Sequence, residues 1–200
     1  MSDQDLGVIK MRWTGVRPLL MHNGMMADPS YKWTKAAKEI SGKKDWRENE
    51  DLVDQFNRAH WMGALYLDDD GNVVIPSDNI ERTVQIASGQ VKKNSGKVVA
   101  AAVMCVEHEA KLRYEGPKDI EKMYKNHAFT LRKMVVIGRV RVPSIRPMFP
   151  TGWSIEFSLE YMKDAVNKDH LIASCSRAGK MVGLCDWRPK FGRFVSEVIE

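Results

Sequence analysis

Apolar and polar residues alternate from Leu6 to Val16, with the period of a β-strand that buries one face. One face carries Val8, Lys10, Arg12 and Thr14, and the other carries Ile9, Met11 and Trp13. Gly15 and Pro18 then interrupt the pattern. The chain is therefore predicted to open with a strand that ends at this glycine and proline.

The next stretch is rich in lysine, glutamate and aspartate, with aromatic residues spaced between them. It predicts two helices, Tyr31–Ile40 and Asp45–Met62. In the second helix an apolar stripe is formed by Leu52, Phe56, Ala59 and Gly63. Because strands are predicted on both sides, we interpret residues 25–63 as a helical insertion whose charged faces are solvated. The alternative is that Lys43 and Lys44 contact a bound strand.

Two short β-prone runs, 65–67 and 72–75, flank an Asp-Asp-Asp-Gly sequence and predict a hairpin. The aspartates lack the spacing of a calcium loop, so they indicate turn chemistry rather than a metal site. Pro76 then precedes a helix predicted over residues 77–88, with Ser77 or Asp78 as its cap. Its apolar face is formed by Ile80, Val84 and Ala87.

Basic residues continue after this helix, in a loop predicted over residues 89–97. Lys92, Lys93 and Lys97 give this loop its charge, and glycine and serine are expected to make it flexible. Such a loop suits contact with phosphates, and it is equally an ordinary solvated loop. The apolar run 98–106 that follows is either a buried strand or a short helix.

The second half predicts a short strand (110–114), a small helix (118–125) and two longer strands (128–142 and 153–162). In the first long strand Arg139 and Arg141 are predicted to share one face, which makes a basic stripe. The alternative is that these arginines pair with the glutamates of the second long strand, Glu156 and Glu160. The pattern alone favours neither interpretation.

A helix predicted over residues 168–182 leads into Gly183–Phe194, and a last strand follows over residues 190–199. The Gly183–Phe194 stretch contains two glycines, one proline, three cationic side chains and three aromatic rings. The combination is typical of a loop that grips a nucleic-acid strand, because cations contact phosphates and rings stack on bases. The alternative is that Trp187 and Phe194 pack in the core.

The order of these elements predicts an α+β fold, an antiparallel RRM-like or ferredoxin-like sheet with two helices on one face and a helical insertion. We predict a single domain over residues 1–200. The formal charge of +5 and the pI of about 9.1 are compatible with a polyanionic partner. Three cysteines without a CxxC pair predict free thiols, and we expect a cytoplasmic protein without a membrane span.

Three segments resemble the RAMP superfamily, the RRM-like backbone subunits of CRISPR effector complexes. They are the apolar turn Pro18–Gly24, the helix start Ile75–Arg82 and the loop Gly183–Phe194, in that order. The chain departs from the family pattern at Ser77, where the family has glycine, and at Glu81, where lysine is usual. The last loop is also poorer in glycine. The combination also resembles small phage or prophage proteins of uncertain role, and this resemblance suggests a relative that works alone.

The resemblance implies a protein that coats a single strand, RNA or DNA, by head-to-tail self-association. The residues themselves suggest the same sequence-tolerant binding, through cations and rings. The predicted contacts are Arg82, Lys92, Lys93, Lys97, Arg139, Arg141, Trp187, Arg188, Lys190, Phe191 and Arg193.

Two other functions are open. Some backbone subunits of the family cut bound RNA with a loop aspartate and a divalent metal, and Asp28 lies at about the corresponding position. One carboxylate is little support for metal-assisted cleavage, so we expect binding rather than catalysis. The third class is a protein-interaction module that mimics an effector subunit.

No Walker loop or dinucleotide fingerprint is present, and neither a cofactor nor a resident metal is predicted. His22 is interpreted as a structural histidine.

Overall fold

The computed structural model describes residues 5–92, 95–137 and 139–200, without the side chains of 135–137 and 140–142. The chain divides into two compact units. The first unit comprises Met1–Leu19, Leu67–Glu115 and Pro150–Glu200. The second unit comprises Leu20–Tyr66 and Gly116–Phe149, so residues 25–63, predicted as a helical insertion, lie in it together with a later segment of the chain.

Strands and helices are numbered in chain order. The strands are β1 (Leu6–Gly15), β2 (Leu19–Leu20), β3 (Val74–Pro76), β4 (Val103–Cys105), β5 (Glu109–Lys111), β6 (Thr130–Ile137), β7 (Val140–Phe149), β8 (Ser154–Met162) and β9 (Phe194–Val198). The helices are α1 (Lys32–Ser41), α2 (Glu50–Gly63), α3 (Ser77–Val91), α4 (Ser95–Ala102), α5 (Ile120–Lys125) and α6 (Lys168–Arg177). No helix of the described residues has the length and apolar character that crossing a bilayer requires.

The first unit is built on an antiparallel sheet in the order β4-β8-β1-β9. Helices α3 and α6 connect its strands, which gives the predicted β-α-β-β-α-β order within an α+β fold. The alternation predicted for β1 is confirmed, because Ile9, Met11 and Trp13 are at most 1% exposed. Trp13 stacks on Phe194 at a centroid distance of 4.0 Å, so Phe194 is a core residue.

The second unit contains α1, α2, α5 and a sheet in the order β2-β7-β6, whose strand β2 lies at the unit boundary. The two predicted insertion helices are confirmed as α1 and α2, joined through a 3₁₀ turn at Trp46–Glu48. Asn49 caps α2 by accepting a hydrogen bond from the Leu52 amide at 3.1 Å. The indole of Trp61, which is fully buried, donates to the Phe129 carbonyl at 3.1 Å.

The predicted hairpin over residues 65–75 is reduced to one bridge, between Leu67 and Val73. Strand β3 pairs instead with β5, which places the apolar side chains of Ile75 and Ala110 opposite each other. Both are buried, so this distant pairing places apolar side chains in the core. The turn chemistry is confirmed, because Asp68 accepts hydrogen bonds from its own turn.

Helical structure extends into the segment predicted as a flexible loop over residues 89–97. Helix α3 ends at Val91 and α4 begins at Ser95, so Lys97 is helical. The Ser95 hydroxyl lies 2.5 Å from the Ser88 carbonyl oxygen and 2.6 Å from that of Lys92, and the hydrogen bond that it donates there ties the start of α4 to the end of α3. The predicted cap of α3 is also wrong. Its cap residue is Pro76, which makes no side-chain capping hydrogen bond.

The strand predicted over residues 128–142 is instead the hairpin β6–β7, in which Thr130 lies opposite Pro147. Arg139 lies in the turn and Arg141 on β7, so they do not share one face of a strand. Their predicted partner strand, β8, pairs with β1 and β4. A period of two describes each arm of a hairpin but carries no information about where the chain reverses.

Candidate nucleic-acid interface

The C-terminal loop, residues 183–193, lies between α6 and β9 and is closed by backbone hydrogen bonds. We call it the closing loop. Four of its residues have left-handed φ angles: Gly183, Cys185, Trp187 and Gly192. The Leu184 amide donates to the Gly192 carbonyl at 2.9 Å and closes the neck of the loop. A Cβ on Gly192 would lie 2.0 Å from the Leu184 carbonyl oxygen, so the neck requires glycine there.

Hydrogen bonds attach the closing loop to its neighbours in the first unit. The Arg188 guanidinium donates to the Thr83 hydroxyl on α3 at 3.2 Å. The Gly192 amide donates to the Pro18 carbonyl at 2.8 Å. Asn79 of α3 lies 3.8 Å from the Cys185 sulfur. Parts of all three segments that carry the family resemblance therefore meet at this loop.

A basic hollow of 440 Å³ opens on one side of the closing loop. It is lined by Arg17, Pro18, Pro189, Lys190, Phe191 and Arg193. The Arg193 Nε donates to the Pro189 carbonyl at 2.9 Å, which orients that guanidinium. Three cations beside one aromatic ring can contact phosphates and stack on a base. We call this site the basic hollow.

The two aromatic residues of the closing loop are half-buried, and they contact each other. Trp187 and Phe191 have their ring centroids 6.1 Å apart, with an angle of 58° between the planes. Phe191 lines the basic hollow, whereas Trp187 does not. The structure therefore brings Lys190, Phe191 and Arg193 together as predicted, and adds Arg17.

Sequence reasoning missed Arg17 and Pro18 as part of this site. Both follow β1 and lie about 165 positions before the closing loop in sequence. The amides of Val16 and Arg17 donate to the Arg193 carbonyl, at 2.9 and 3.2 Å, and this pairing brings them to the loop. In the sequence, the arginine and proline that follow strand β1 are the feature that could have pointed to this site.

The remaining predicted contacts of the first unit do not line the basic hollow. Arg82 is exposed on α3, and its guanidinium donates to Gln85 at 2.6 Å. Lys92 borders a different hollow beside His170, and Lys97 is exposed on α4. Lys93 lies outside the described residues. The first unit therefore does not gather all predicted cations into one site.

Glu81, where the resemblance expects lysine, has a structural role. Its carboxylate accepts a hydrogen bond from the backbone amide of Cys105 at 2.8 Å. This contact ties α3 to strand β4. The departure from the family pattern therefore coincides with a hydrogen bond that a lysine could not accept.

Arg139 and Arg141 belong to the second unit. Arg139 is exposed in the β6–β7 turn. The backbone of Arg141 lies opposite Val136 in the hairpin, and its side chain is outside the described part.

Asp28 follows a 3₁₀ turn at Gly24–Ala27 in the second unit. Its carboxylate accepts a hydrogen bond from the Ser30 amide at 2.7 Å. That bond is the main reason why the pKa of Asp28 lies below its ordinary value. In the described ranges no cluster of three or more His, Cys, Asp or Glu side chains is arranged to hold a metal ion.

The outward face of the four-stranded sheet differs from a base-stacking platform. Its described side chains include Val8, Met104 and Val195, which are at least half exposed, and none is aromatic. The Glu156 carboxylate lies 2.8 Å from Arg12 and 3.0 Å from Arg113. The hydrogen bond from Arg12, supported by Arg113, holds the pKa of Glu156 below its usual value. Arg12 and Arg113 are therefore already paired on this face.

Comparison with known proteins shows that the fold of this chain is similar to that of a solved structure. No family model matches the chain, and no curated protein matches it. Among solved structures it is similar to a chain of the type III-B Cmr-beta bound to cognate target RNA, determined by cryo-EM. The TM-score is 0.54 at 11% identity, and the match covers 98% of this chain. At this identity the likeness concerns the fold alone, and the chain spans 60% of the length of the other chain.

Proposed function

We propose that this protein binds single-stranded RNA in a sequence-tolerant manner through the closing loop. The observation that carries the proposal is the basic hollow, where Arg17, Lys190 and Arg193 surround the ring of Phe191. Phosphates contact the cations, while a base stacks on the exposed part of the ring. Such contacts read the backbone and the π-face of any base, so they confer little sequence preference.

The construction of the closing loop supports this role. A loop closed at its neck and hydrogen-bonded to α3 and Pro18 fixes the backbone that carries Lys190 and Arg193 before the strand arrives. Binding then costs less conformational entropy than it would in a flexible loop. On the outward face of the sheet, by contrast, Arg12 and Arg113 are engaged with Glu156.

RNA is the proposed strand because the similar fold occurs in a complex bound to target RNA. The proposal includes the head-to-tail self-association implied by the RAMP resemblance, in which successive copies coat one strand. A single hollow accommodates only a few nucleotides, so continuous coverage of a strand requires several copies.

Binding of the wild-type protein to matched oligonucleotides tests the proposal. We expect tighter binding to single-stranded RNA than to a duplex of the same sequence, because paired bases are not free to stack on Phe191. Fluorescence anisotropy measures the affinities, and single-stranded DNA of the same sequence serves as the comparison strand. Negative-stain microscopy of the same mixtures should show assemblies that lengthen with the RNA. Equal or tighter binding to the duplex would refute the proposed mode, and single copies on long RNA would refute self-association.

A further inference from the structure

A second pocket, of 590 Å³, lies entirely within the second unit and contains none of the predicted strand-binding residues. It opens between α2, the 3₁₀ turn that precedes it and strand β7. We call it the aromatic pocket. Its volume falls within the range of sites that hold small organic ligands.

One wall of the aromatic pocket is a continuous series of rings. Phe56 and His60 lie one turn apart on α2, with ring centroids 4.4 Å apart. The 3₁₀ turn brings Trp46 against Phe56 at 4.5 Å. All three residues are half-buried, so part of each ring remains open to a ligand. Aromatic rings at this spacing suit a flat heterocycle stacked on them.

Positive charge borders the same wall. The Arg47 guanidinium lies 4.9 Å from the centroid of Trp46, and Arg146 of β7 lines the pocket. Of the described residues that line the pocket, none carries a carboxylate. Burial, together with Arg146 and His22, lowers the pKa of His60, which favours its neutral ring at pH 7. The charged groups therefore suit an anionic ligand.

Ser144 adds an independent sign that a polar ligand belongs in the aromatic pocket. It lines the pocket from β7 and is only 9% exposed. Its hydroxyl is buried and has no hydrogen-bond partner among the described residues. A buried hydroxyl without a partner costs free energy, which a hydrogen bond to a ligand would recover.

We propose that the aromatic pocket binds one nucleotide, with its base on the Trp46–Phe56–His60 wall and its phosphate beside Arg47 and Arg146. Ser144 would supply a hydrogen bond to the base or sugar. A free nucleoside monophosphate and a nucleotide unstacked from an RNA strand share this chemistry. The inference uses residues of the second unit alone, so it does not depend on the closing loop.

Calorimetric titration with AMP, GMP, CMP and UMP tests whether the aromatic pocket binds a free nucleotide. We expect saturable binding of at least one of them, weakened about tenfold by Phe56→Ala, through the loss of stacking. Arg47→Ala should weaken the binding of that nucleotide, whereas the matched change Lys38→Ala on α1 should not. Ser144→Ala should weaken binding about fivefold without lowering the melting temperature, because its hydroxyl has no partner to lose. A serine with a structural role would lower the melting temperature instead.

Photo-cross-linking tests whether the nucleotide in the aromatic pocket comes from a bound RNA strand. RNA that contains 5-iodouridine is irradiated with the full-length protein, and the linked peptides are identified by mass spectrometry. Cross-links to Trp46 or Phe56 that disappear in Arg47→Ala, but persist in Lys38→Ala, would show that the pocket takes a nucleotide of the strand. The proposal is overturned if no mononucleotide binds and no cross-link maps to the pocket. It is also overturned if Phe56→Ala and Arg47→Ala leave every measured affinity unchanged.

Discussion

Gly192→Ala is expected to destabilise the protein by about 3 kcal/mol, because both the clash and the backbone conformation oppose an added methyl group. The new Cβ would lie 2.0 Å from the Leu184 carbonyl oxygen and 2.7 Å from its amide nitrogen. These atoms form the neck of the closing loop and belong to the backbone, so neither can rotate away. The φ angle of +71° is itself unfavourable for alanine.

The matched control is Gly71→Ala, at a position where φ is +79° and no atom lies within 4 Å of the added Cβ. It reports the cost of the left-handed conformation alone, about 1 kcal/mol. Urea denaturation followed by circular dichroism gives both stabilities. If Gly192→Ala unfolds at the same urea concentration as Gly71→Ala, the neck of the closing loop is not closed as described.

Removal of the central core ring should have the largest effect on stability. Trp13 is fully buried, stacks on Phe194 and meets the edge of Phe157 at 4.8 Å. Trp13→Ala is expected to cost about 3–5 kcal/mol, because it removes a large buried side chain and leaves a cavity. Urea denaturation measures the loss.

Trp13 and Trp153 are both fully buried. Replacing each by phenylalanine compares how much stability is lost when each indole N–H is removed. The Trp13 Nε1 is buried without a hydrogen-bond partner in the described part of the chain. The Trp153 Nε1 donates to the Arg17 carbonyl at 2.8 Å. Trp13→Phe should therefore destabilise less than Trp153→Phe, which leaves a carbonyl unpaired. The reverse order would contradict this account of the core.

The sequence predicts well the parts of the fold that local pattern controls. The alternation in β1 places Trp13 in the core, because a strand with one buried face has a period of two. The apolar stripe over residues 52–63 likewise identifies helix α2. The α+β class and the β-α-β-β-α-β order follow from the sequence of such elements.

What the sequence does not predict depends on distant partners. Strand β3 pairs with β5, about 35 positions later, and nothing in the hairpin-like run around Asp68 indicates that partner. The reversal between β6 and β7 is hidden because both arms continue the same period. A serine at position 95 joins α3 to α4 across a segment whose glycines and lysines are typical of a loop.

The candidate site shows the same limit. The composition of the closing loop identifies Lys190, Phe191 and Arg193, because cations and rings are close together in sequence. Arg17 joins them only through the backbone pairing of residues 16 and 17 with Arg193. Arg82 and Lys92, which composition also selected, lie beside other hollows. Composition therefore finds candidate side chains, and the fold decides which of them share a site.

The most direct test of the central claim is the salt dependence of RNA binding when the basic hollow loses its charge. The variant Arg17→Ala/Lys190→Ala/Arg193→Ala is compared with wild type, and with Lys168→Ala, an exposed cation of the first unit outside the hollow. Anisotropy across a series of salt concentrations gives the slope of log affinity against log salt. The account predicts a slope smaller by about 2 in the triple variant, about 0.7 for each lost phosphate contact, and no change in Lys168→Ala. An unchanged slope in a folded triple variant would contradict the assignment of RNA to the closing loop.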